Sequence, residues 1–197
     1  MNAAPAPHRR NLRTVWWVLG ITATVVAVAV AAIGIWLSNA LKPPQETPMQ
    51  PEQVAALNHE LRAKDSAEDT LTSFEKVLAQ TADRITAVVP GLSWRWNRDS
   101  TTISCGGKFE DTDGVQVLTR HALFDGPIPD NTWPQALDTL RESAAALGAS
   151  DLTVFADRPG DHSIELTGDT GVQVRFATKV AASLSARSDC RLRQADF

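Results

Sequence analysis

The segment Ile164-Glu165-Leu166-Thr167-Gly168-Asp169-Thr170-Gly171-Val172-Gln173-Val174-Arg175-Phe176-Ala177 decides the fold class of this chain. Apolar and polar residues alternate at 164–167 and again at 172–177, which is the pattern of strands that are buried on one face. The four residues between these runs include two glycines, which suit a tight turn. The segment therefore predicts a β-hairpin within an antiparallel sheet.

Two amphipathic helices are predicted before this hairpin. The first begins near Ser66 and ends at Pro90-Gly91, and its apolar residues recur every three or four positions. The second runs over about 132–147, with Pro134 in its first turn and Gly148 at its end.

Further strands are predicted where apolar residues alternate with polar ones or cluster in short runs. They lie at 92–97, 115–124, 152–156 and 181–187. Strands that cluster in hairpins, instead of alternating with every helix, favour an α+β fold. We therefore expect a two-layer sandwich, in which an antiparallel sheet carries both helices on one face.

Charge is distributed unevenly along the chain. Residues 1–13 carry three arginines and no acid, residues 14–41 carry no charged side chain, and the remainder holds 16 basic and 23 acidic residues. About 20 apolar helical residues span the hydrocarbon core of a bilayer. Residues 14–41 therefore predict a transmembrane helix. The run is longer than a signal peptide needs, which favours an uncleaved anchor, and cleavage at the A-x-A-like residues 38–40 is the alternative.

The flanking charges predict the topology. Because basic residues stay on the cytoplasmic side, 1–13 are expected to form a cytoplasmic tip of a single-pass cell-membrane protein. A Pro-rich linker with a weak helical stalk is predicted over 42–65, followed by an extracytoplasmic α+β domain over 66–197. The formal net charge of −4 argues against nucleic-acid binding.

Cys105 and Cys190 are the two cysteines of the chain. An extracytoplasmic compartment is oxidising enough to allow a disulfide between them. A catalytic or metal-binding thiol is the alternative, although the chain has no C-x-x-C spacing. We expect a structural disulfide and no cofactor.

Residues that could carry catalysis are scattered. Ser104 lies in a Gly-rich setting, and His121 and His162 are each near an aspartate, but neither a G-x-S-x-G nor an H-E-x-x-H motif occurs. The acidic turn at 110–113 lacks the spacing of a calcium-binding loop. The sequence therefore assigns no catalytic residue and no metal ligand. A hydrolase would need Ser104, His121 and an acid to converge.

Five residues are candidates for ligand or partner binding. Trp94 and Trp96 share one face of a strand, where they either belong to the core or form an aromatic platform. Phe124 and Asp125 begin a loop that leads to Trp133. Such a loop either packs against the second helix or docks a partner.

Several blocks of the predicted outside domain carry a family resemblance. They are Pro90-Gly91-Leu92-Ser93-Trp94, Ser104-Cys105-Gly106-Gly107-Lys108-Phe109, Leu123-Phe124-Asp125-Gly126-Pro127-Ile128-Pro129 followed by Trp133-Pro134, Pro159-Gly160-Asp161-His162, and Ser188-Asp189-Cys190-Arg191. Over roughly residues 66–193 the chain resembles the LppA-like family of mycobacterial lipoproteins. The resemblance implies an actinobacterial cell-envelope protein without an established activity. Members of that family are lipid-anchored through an amino-terminal Cys, and no Cys precedes Cys105 here, so the predicted transmembrane helix would provide the tether.

These observations predict a membrane-anchored extracytoplasmic domain that binds or scaffolds an envelope protein, a lipid or a glycan. The bilayer is the expected partner of residues 14–41. An extracytoplasmic hydrolase acting on an envelope substrate is the alternative function, and an accessory subunit of a membrane complex is a third.

Overall fold

The computed structural model describes residues 33, 34, 36 and 49–197. The predicted cytoplasmic tip at 1–13 lies outside the described residues, and so do nearly all of the predicted transmembrane helix at 14–41 and the Pro-rich part of the linker. Among the described residues, none of the helices has the length and hydropathy that a membrane crossing requires. A compact unit extends from Pro48 to Phe197, and all elements named below belong to it.

In the described part of the chain, three α-helices are interspersed with eight β-strands. They are α1 (Pro51–Arg62), α2 (Ala67–Val88), β1 (Trp94–Asn97), β2 (Thr101–Ser104), β3 (Val115–Leu118), β4 (His121–Phe124), α3 (Trp133–Ala146), β5 (Asp151–Arg158), β6 (Asp161–Thr167), β7 (Gln173–Thr178) and β8 (Ala182–Arg191). Short 3-10 turns follow β2 and β8. The α+β class expected from the sequence is confirmed.

All strand pairings are antiparallel, and β8 organises the sheet. The main strand order is β1-β4-β8-β7-β6-β5, and β2 pairs with β3. The ten residues of β8 are enough to pair with two strands along the same edge. β4 meets β8 at Leu184, whereas β3 meets it at Cys190 and Arg191. The sheet therefore branches on one side of β8 and continues through the hairpin β7–β6 on the other.

Helices α2 and α3 cover one face of the sheet and close the main core. Ser66 caps α2, because its Oγ accepts a hydrogen bond from the Asp69 N–H at 3.1 Å. Apolar side chains of both helices pack against those of the sheet, and the almost completely buried ones include Leu78, Ile85, Phe124, Leu140, Phe176 and Leu184. This is the two-layer arrangement expected from the sequence.

Helix α1 departs from the sequence interpretation. The pattern at 42–65 predicts a linker and stalk, whereas α1 packs against the rest of the compact unit. Leu61 is completely buried in a second apolar cluster, which also contains Phe109 and the two cysteines. The amide of Asn58 donates to Asp113 Oδ2 at 2.6 Å. The contact is hard to recognise in the sequence because α1 has few apolar residues.

Two strand predictions need correction. Strand β2 was not expected, because its sequence Thr-Thr-Ile-Ser has a single apolar residue and no alternation. In the structure all four of its residues are exposed. The run 115–124 predicts a single strand, but it divides into β3 and β4 at Thr119. The Thr119 hydroxyl accepts from the Ala186 N–H at 3.0 Å and donates to the Ala186 carbonyl at 3.2 Å. These contacts with β8 take the place of regular strand pairing at the break.

Candidate functional site

The candidate site is the face of the sheet that α2 and α3 leave uncovered, which we call the open face. Successive side chains of a strand point to opposite faces, so the positions between core residues belong to this surface. They include His121 and Leu123 on β4, Ser183, Ser185 and Arg187 on β8, Gln173, Arg175 and Ala177 on β7, and Ser163 and Glu165 on β6. Four strands therefore contribute to one largely polar surface.

Strand register places these side chains next to one another. Arg175 lies opposite Ser185 on one neighbouring strand and opposite Glu165 on the other, and Gln173 lies opposite Arg187. Directly opposed residues have Cβ atoms about 5 Å apart, close enough for their side chains to interact. The open face therefore consists of adjoining cross-strand rows.

Two concave pockets lie in the open face. The first has a volume of about 220 Å³, and its lining includes Thr119, His121, Gln173, Arg175, Ser185 and Arg187. The second has a volume of about 390 Å³, and its lining includes His121, Phe155, Ser163, Arg175, Ala177 and Ser185. Because His121, Arg175 and Ser185 line both pockets, the two adjoin near the middle of the sheet.

Two arginines give the first pocket a positive charge. Arg175 Nε donates to the carboxylate of Glu165, which is largely buried. The Nε of Arg187 is also buried, but it has no hydrogen-bond partner within the described part of the chain. Buried donors in folded proteins nearly always have a partner. Arg187 is therefore a residue of the pocket lining whose hydrogen-bonding capacity the described part of the chain leaves unfilled.

His121 lies where the two pockets meet. Burial is the larger cause that lowers the pKa of its imidazole, and the positive charge of Arg98 is the second. The neutral ring is therefore favoured at neutral pH, with one N–H donor and one acceptor nitrogen. His121 can hydrogen-bond a ligand in this state without adding charge to the pocket.

The structure does not join Ser104 and His121, the residues that the sequence offers for a hydrolase. Ser104 lies at the end of β2, exposed and opposite Val115, and no hydrogen bond in this part of the chain joins it to His121. Within the same residues, no group of three or more His, Cys, Asp or Glu side chains is arranged to hold a metal ion. The open face has donors, positive charge and pockets, which are features of binding.

Trp94 and Trp96 lie on the helix-covered side of β1, at the margin of the main core. Their rings meet edge to face with centroids 5.1 Å apart. Trp94 Nε1 donates to Asp83 of α2 at 2.7 Å, and the guanidinium of Arg120 lies 4.5 Å from the Trp96 ring. Both rings therefore pack toward α2 and its neighbours, away from the open face.

The ion pair between Arg120 and Glu75, beside Trp96, predicts that the stability of the protein depends on pH. Burial alone would raise the pKa of the Glu75 carboxyl, but the hydrogen bonds and charge of Arg120 outweigh burial and hold that pKa below its usual value. A depressed folded-state pKa stabilises the protein above about pH 4.3, and this contribution is lost as the pH falls through the folded-state value. We expect Glu75→Gln to lower the thermal midpoint at pH 7 and to match the wild type at acidic pH. Thermal melts at several pH values test this, and a difference that persists at low pH would contradict it.

The remaining predicted binding residues lie at the end of β4, in the loop that follows it and at the start of α3. Phe124 is only 1% exposed, and Trp133 stacks on Phe176 with centroids 5.2 Å apart, so both rings serve the main core. Asp125 is exposed and accepts hydrogen bonds from the Ser93 N–H and hydroxyl at 2.9 and 2.6 Å. These contacts fix the loop, and Asp125 is the member of this group that faces solvent.

Sequence reasoning missed Arg175, Ser185 and Arg187 as site residues. Their alternation with apolar neighbours is a usable signal, because it assigns each of them to the face opposite the core. Alternation does not reveal which segments pair, and pairing is what brings these three side chains together.

The predicted disulfide is confirmed. Cys105 and Cys190 are bonded, with Cα atoms 5.9 Å apart. Both cysteines are buried beside Leu61 and Phe109. The bond therefore belongs to the second apolar cluster and ties the segment after β2 to β8.

Comparisons with known proteins give the family. The Mycobacterium tuberculosis proteins named lipoproteins LppA and LppB are 24% and 23% identical to this chain over 200 residues, which cover 97% of this chain and 88% of each relative. The crystal structure of M. tuberculosis LppA shares the fold, with a TM-score of 0.65 and 21% identity over 74% of this chain and 89% of that one. The LppA family model, described as a lipoprotein confined to pathogenic Mycobacterium, matches residues 42–194. None of these names states an activity. The resemblance noted in the sequence is thus confirmed, and this chain belongs to the LppA lipoprotein family.

Proposed function

We propose that this chain is an anchored binding or scaffolding protein of the bacterial cell envelope. Its relatives are named as lipoproteins, a class held at membrane surfaces by covalent lipid. We assign the tether here to residues 14–41 as a single transmembrane helix, with 1–13 in the cytoplasm and the compact unit outside. The uncharged run and its basic flank support this topology.

The observation that carries the proposal is the pair of adjoining pockets on the open face. Ligand sites are concave and combine apolar walls with a few convergent polar groups. Here Leu118 and Phe155 provide apolar surface, and Arg175, Ser185 and His121 provide the polar groups. The proposed ligand is a component of the envelope: a protein, a lipid or a glycan.

A substitution that fills the second pocket tests the proposal. Ala177 lines that pocket and lies opposite Ser163 and Ser183 on the open face. We expect Ala177→Trp to reduce recovery of the ligand by roughly tenfold or more, because the indole occupies the volume that the ligand needs. The measurement is affinity capture of the full-length protein in mild detergent from cell envelopes, followed by mass spectrometry of the bound proteins, lipids and glycans.

The matched control is Ala145→Trp, which adds the same side chain at an exposed position of α3. Molecules that are recovered with the wild type and the control, but are lost with Ala177→Trp, identify the ligand. Equal recovery with all three proteins, each showing an unchanged thermal midpoint, would refute the open face as the binding surface.

A further inference from the structure

The first pocket contains an arginine whose bonding is incomplete. Arg187 lies on β8 opposite Gln173, and its Nε is the single guanidinium nitrogen in the described part of the chain that is both buried and without a hydrogen-bond partner. Several other arginines pair with a carboxylate, for example Arg120 with Glu75 and Arg191 with Asp189. Arg187 forms no ion pair among the described residues.

The surroundings of Arg187 select for an acceptor of negative charge. Arg175 adds a second guanidinium to the pocket, and Glu165, the carboxylate beside it, is already bonded to Arg175. Gln173 and Ser185 add neutral hydrogen-bond donors to the same lining. The local charge is therefore positive, although the chain as a whole is acidic.

We propose that the first pocket binds one oxyanion group of the ligand, a phosphate or a carboxylate, through Arg187, with Gln173 and Ser185 as neutral donors. The inference rests on the proposed function, because it names the chemical class that the open face recognises. A guanidinium presents several N–H donors in a planar fork that matches two oxygens of a carboxylate or phosphate. A pocket of about 220 Å³ holds such a group and leaves the rest of the ligand to the adjoining second pocket.

The test follows the Arg187 Nε–H group itself. Full-length protein in a phosphate-free maltoside detergent is titrated with inorganic phosphate, and separately with acetate, at constant ionic strength in chloride. The nitrogen–proton correlation signals of the arginine Nε–H groups are recorded. We expect one signal to shift saturably in the wild type and to be missing from Arg187→Gln, which assigns it.

Two further variants test whether binding depends on the planar guanidinium of Arg187 or only on the net charge of the protein. Arg187→Lys keeps the charge but loses the planar fork, so we expect the anion to bind several-fold more weakly than to the wild type. Arg141→Gln removes the same charge from the exposed surface of α3 and should bind like the wild type. Affinities for the wild type, both Arg187 variants and the control come from the shift of the thermal midpoint with anion concentration. Absence of any saturable Nε–H shift, or equal affinity of the wild type and both Arg187 variants, would overturn the proposal.

The source of the oxyanion is distinguished in nanodiscs. If it is a lipid headgroup, the Arg187 signal shifts on reconstitution into discs of phosphatidylglycerol or phosphatidylcholine, both of which carry a phosphodiester, without any added anion. If it is a soluble ligand, the signal is unchanged in both kinds of disc and shifts only when glycerol phosphate or a similar anion is added. The proposed function fails separately, when Ala177→Trp leaves ligand capture unchanged. If Ala177→Trp abolishes ligand capture but Arg187→Gln does not, the proposed function stands and the oxyanion proposal is wrong.

Discussion

Replacing both Cys105 and Cys190 by serine is expected to lower the free energy of unfolding by roughly 4–5 kcal/mol. The two residues are separated by 85 positions, and a bond that closes so long a loop removes much of the conformational entropy of the unfolded chain. For a unit of about 150 residues, this corresponds to a fall of roughly 10–20 °C in the thermal midpoint. Urea unfolding of non-reduced protein measures the free energy directly.

The position of the bond adds a second contribution. Cys105 is 5% exposed and Cys190 is 7% exposed, and both pack beside Leu61 and Phe109. Loss of the bond therefore also loosens the apolar cluster that seats α1. A double alanine variant keeps the site apolar and isolates the effect of loop closure, whereas the double serine variant also buries two hydroxyls.

Ser104→Ala is the matched control, because Ser104 is adjacent to Cys105 but exposed. Its unfolding free energy should stay within about 0.5 kcal/mol of the wild type. If both double variants unfolded at the wild-type urea midpoint, the bond would have no part in stability. Reactive thiols in denatured, non-reduced wild-type protein would show that it does not form.

The predicted elements that agree with the structure are those with a strong local pattern. The first predicted helix appears as α2, capped by Ser66, because its apolar stripe and its stop signal are both contained in the segment itself. The hairpin β6–β7 appears for the same reason, since alternation and a glycine turn are local features. The disulfide could be predicted because the chain contains only two cysteines.

What could not be predicted depends on contacts between distant segments. Strand β2 forms because β3 offers a partner, and its own four residues are all exposed. The break at Thr119 is set by Ala186, which lies 67 positions away. Helix α1 is held through Leu61, whose neighbours lie at Phe109 and Leu192.

The candidate site has the same limitation. Gln173 and Arg175 belong to an alternating strand, and their outward position follows from the sequence. Their partners Arg187 and Ser185 are assigned by the register of β7 against β8, which periodicity does not fix. The tryptophans attract attention in the sequence because aromatic residues often bind ligands, yet Trp94 and Trp96 pack toward α2.

The turn of the hairpin β6–β7 contains the second position where a small change should have a large effect. Gly168 donates its N–H to the Val172 carbonyl at 3.0 Å and closes the turn. A Cβ atom added at Gly168 would lie 1.9 Å from the carbonyl oxygen of Gly148 and 2.9 Å from its carbonyl carbon. These distances are far shorter than van der Waals contact, and the obstacle is backbone. The close approach of the Gly148 backbone, just after α3, therefore requires glycine at position 168.

The obstructing carbonyl has little freedom to move. The Ala149 N–H donates to the Ala144 carbonyl at 2.9 Å and closes the end of α3. The Ser150 N–H donates to the Thr167 carbonyl at 2.9 Å and joins the connection after α3 to β6. Gly148 is thus held between a helix end and a strand, and a shift of its backbone would disturb both.

We therefore expect Gly168→Ala to destabilise the protein by about 3 kcal/mol, at the upper end of the usual cost of overpacking, and to lower the thermal midpoint by roughly 6–12 °C. Gly106→Ala is the matched control, because a Cβ at Gly106 meets no atom within 4 Å and its φ of −118° is open to any residue. Urea unfolding of both variants measures the difference. If Gly168→Ala were as stable as Gly106→Ala, the close approach of α3 to the hairpin would be wrong, and with it the way this helix is seated on the sheet. If only Gly168→Ala is destabilised, the turn glycine of the hairpin has a tertiary role that a local turn signal does not reveal.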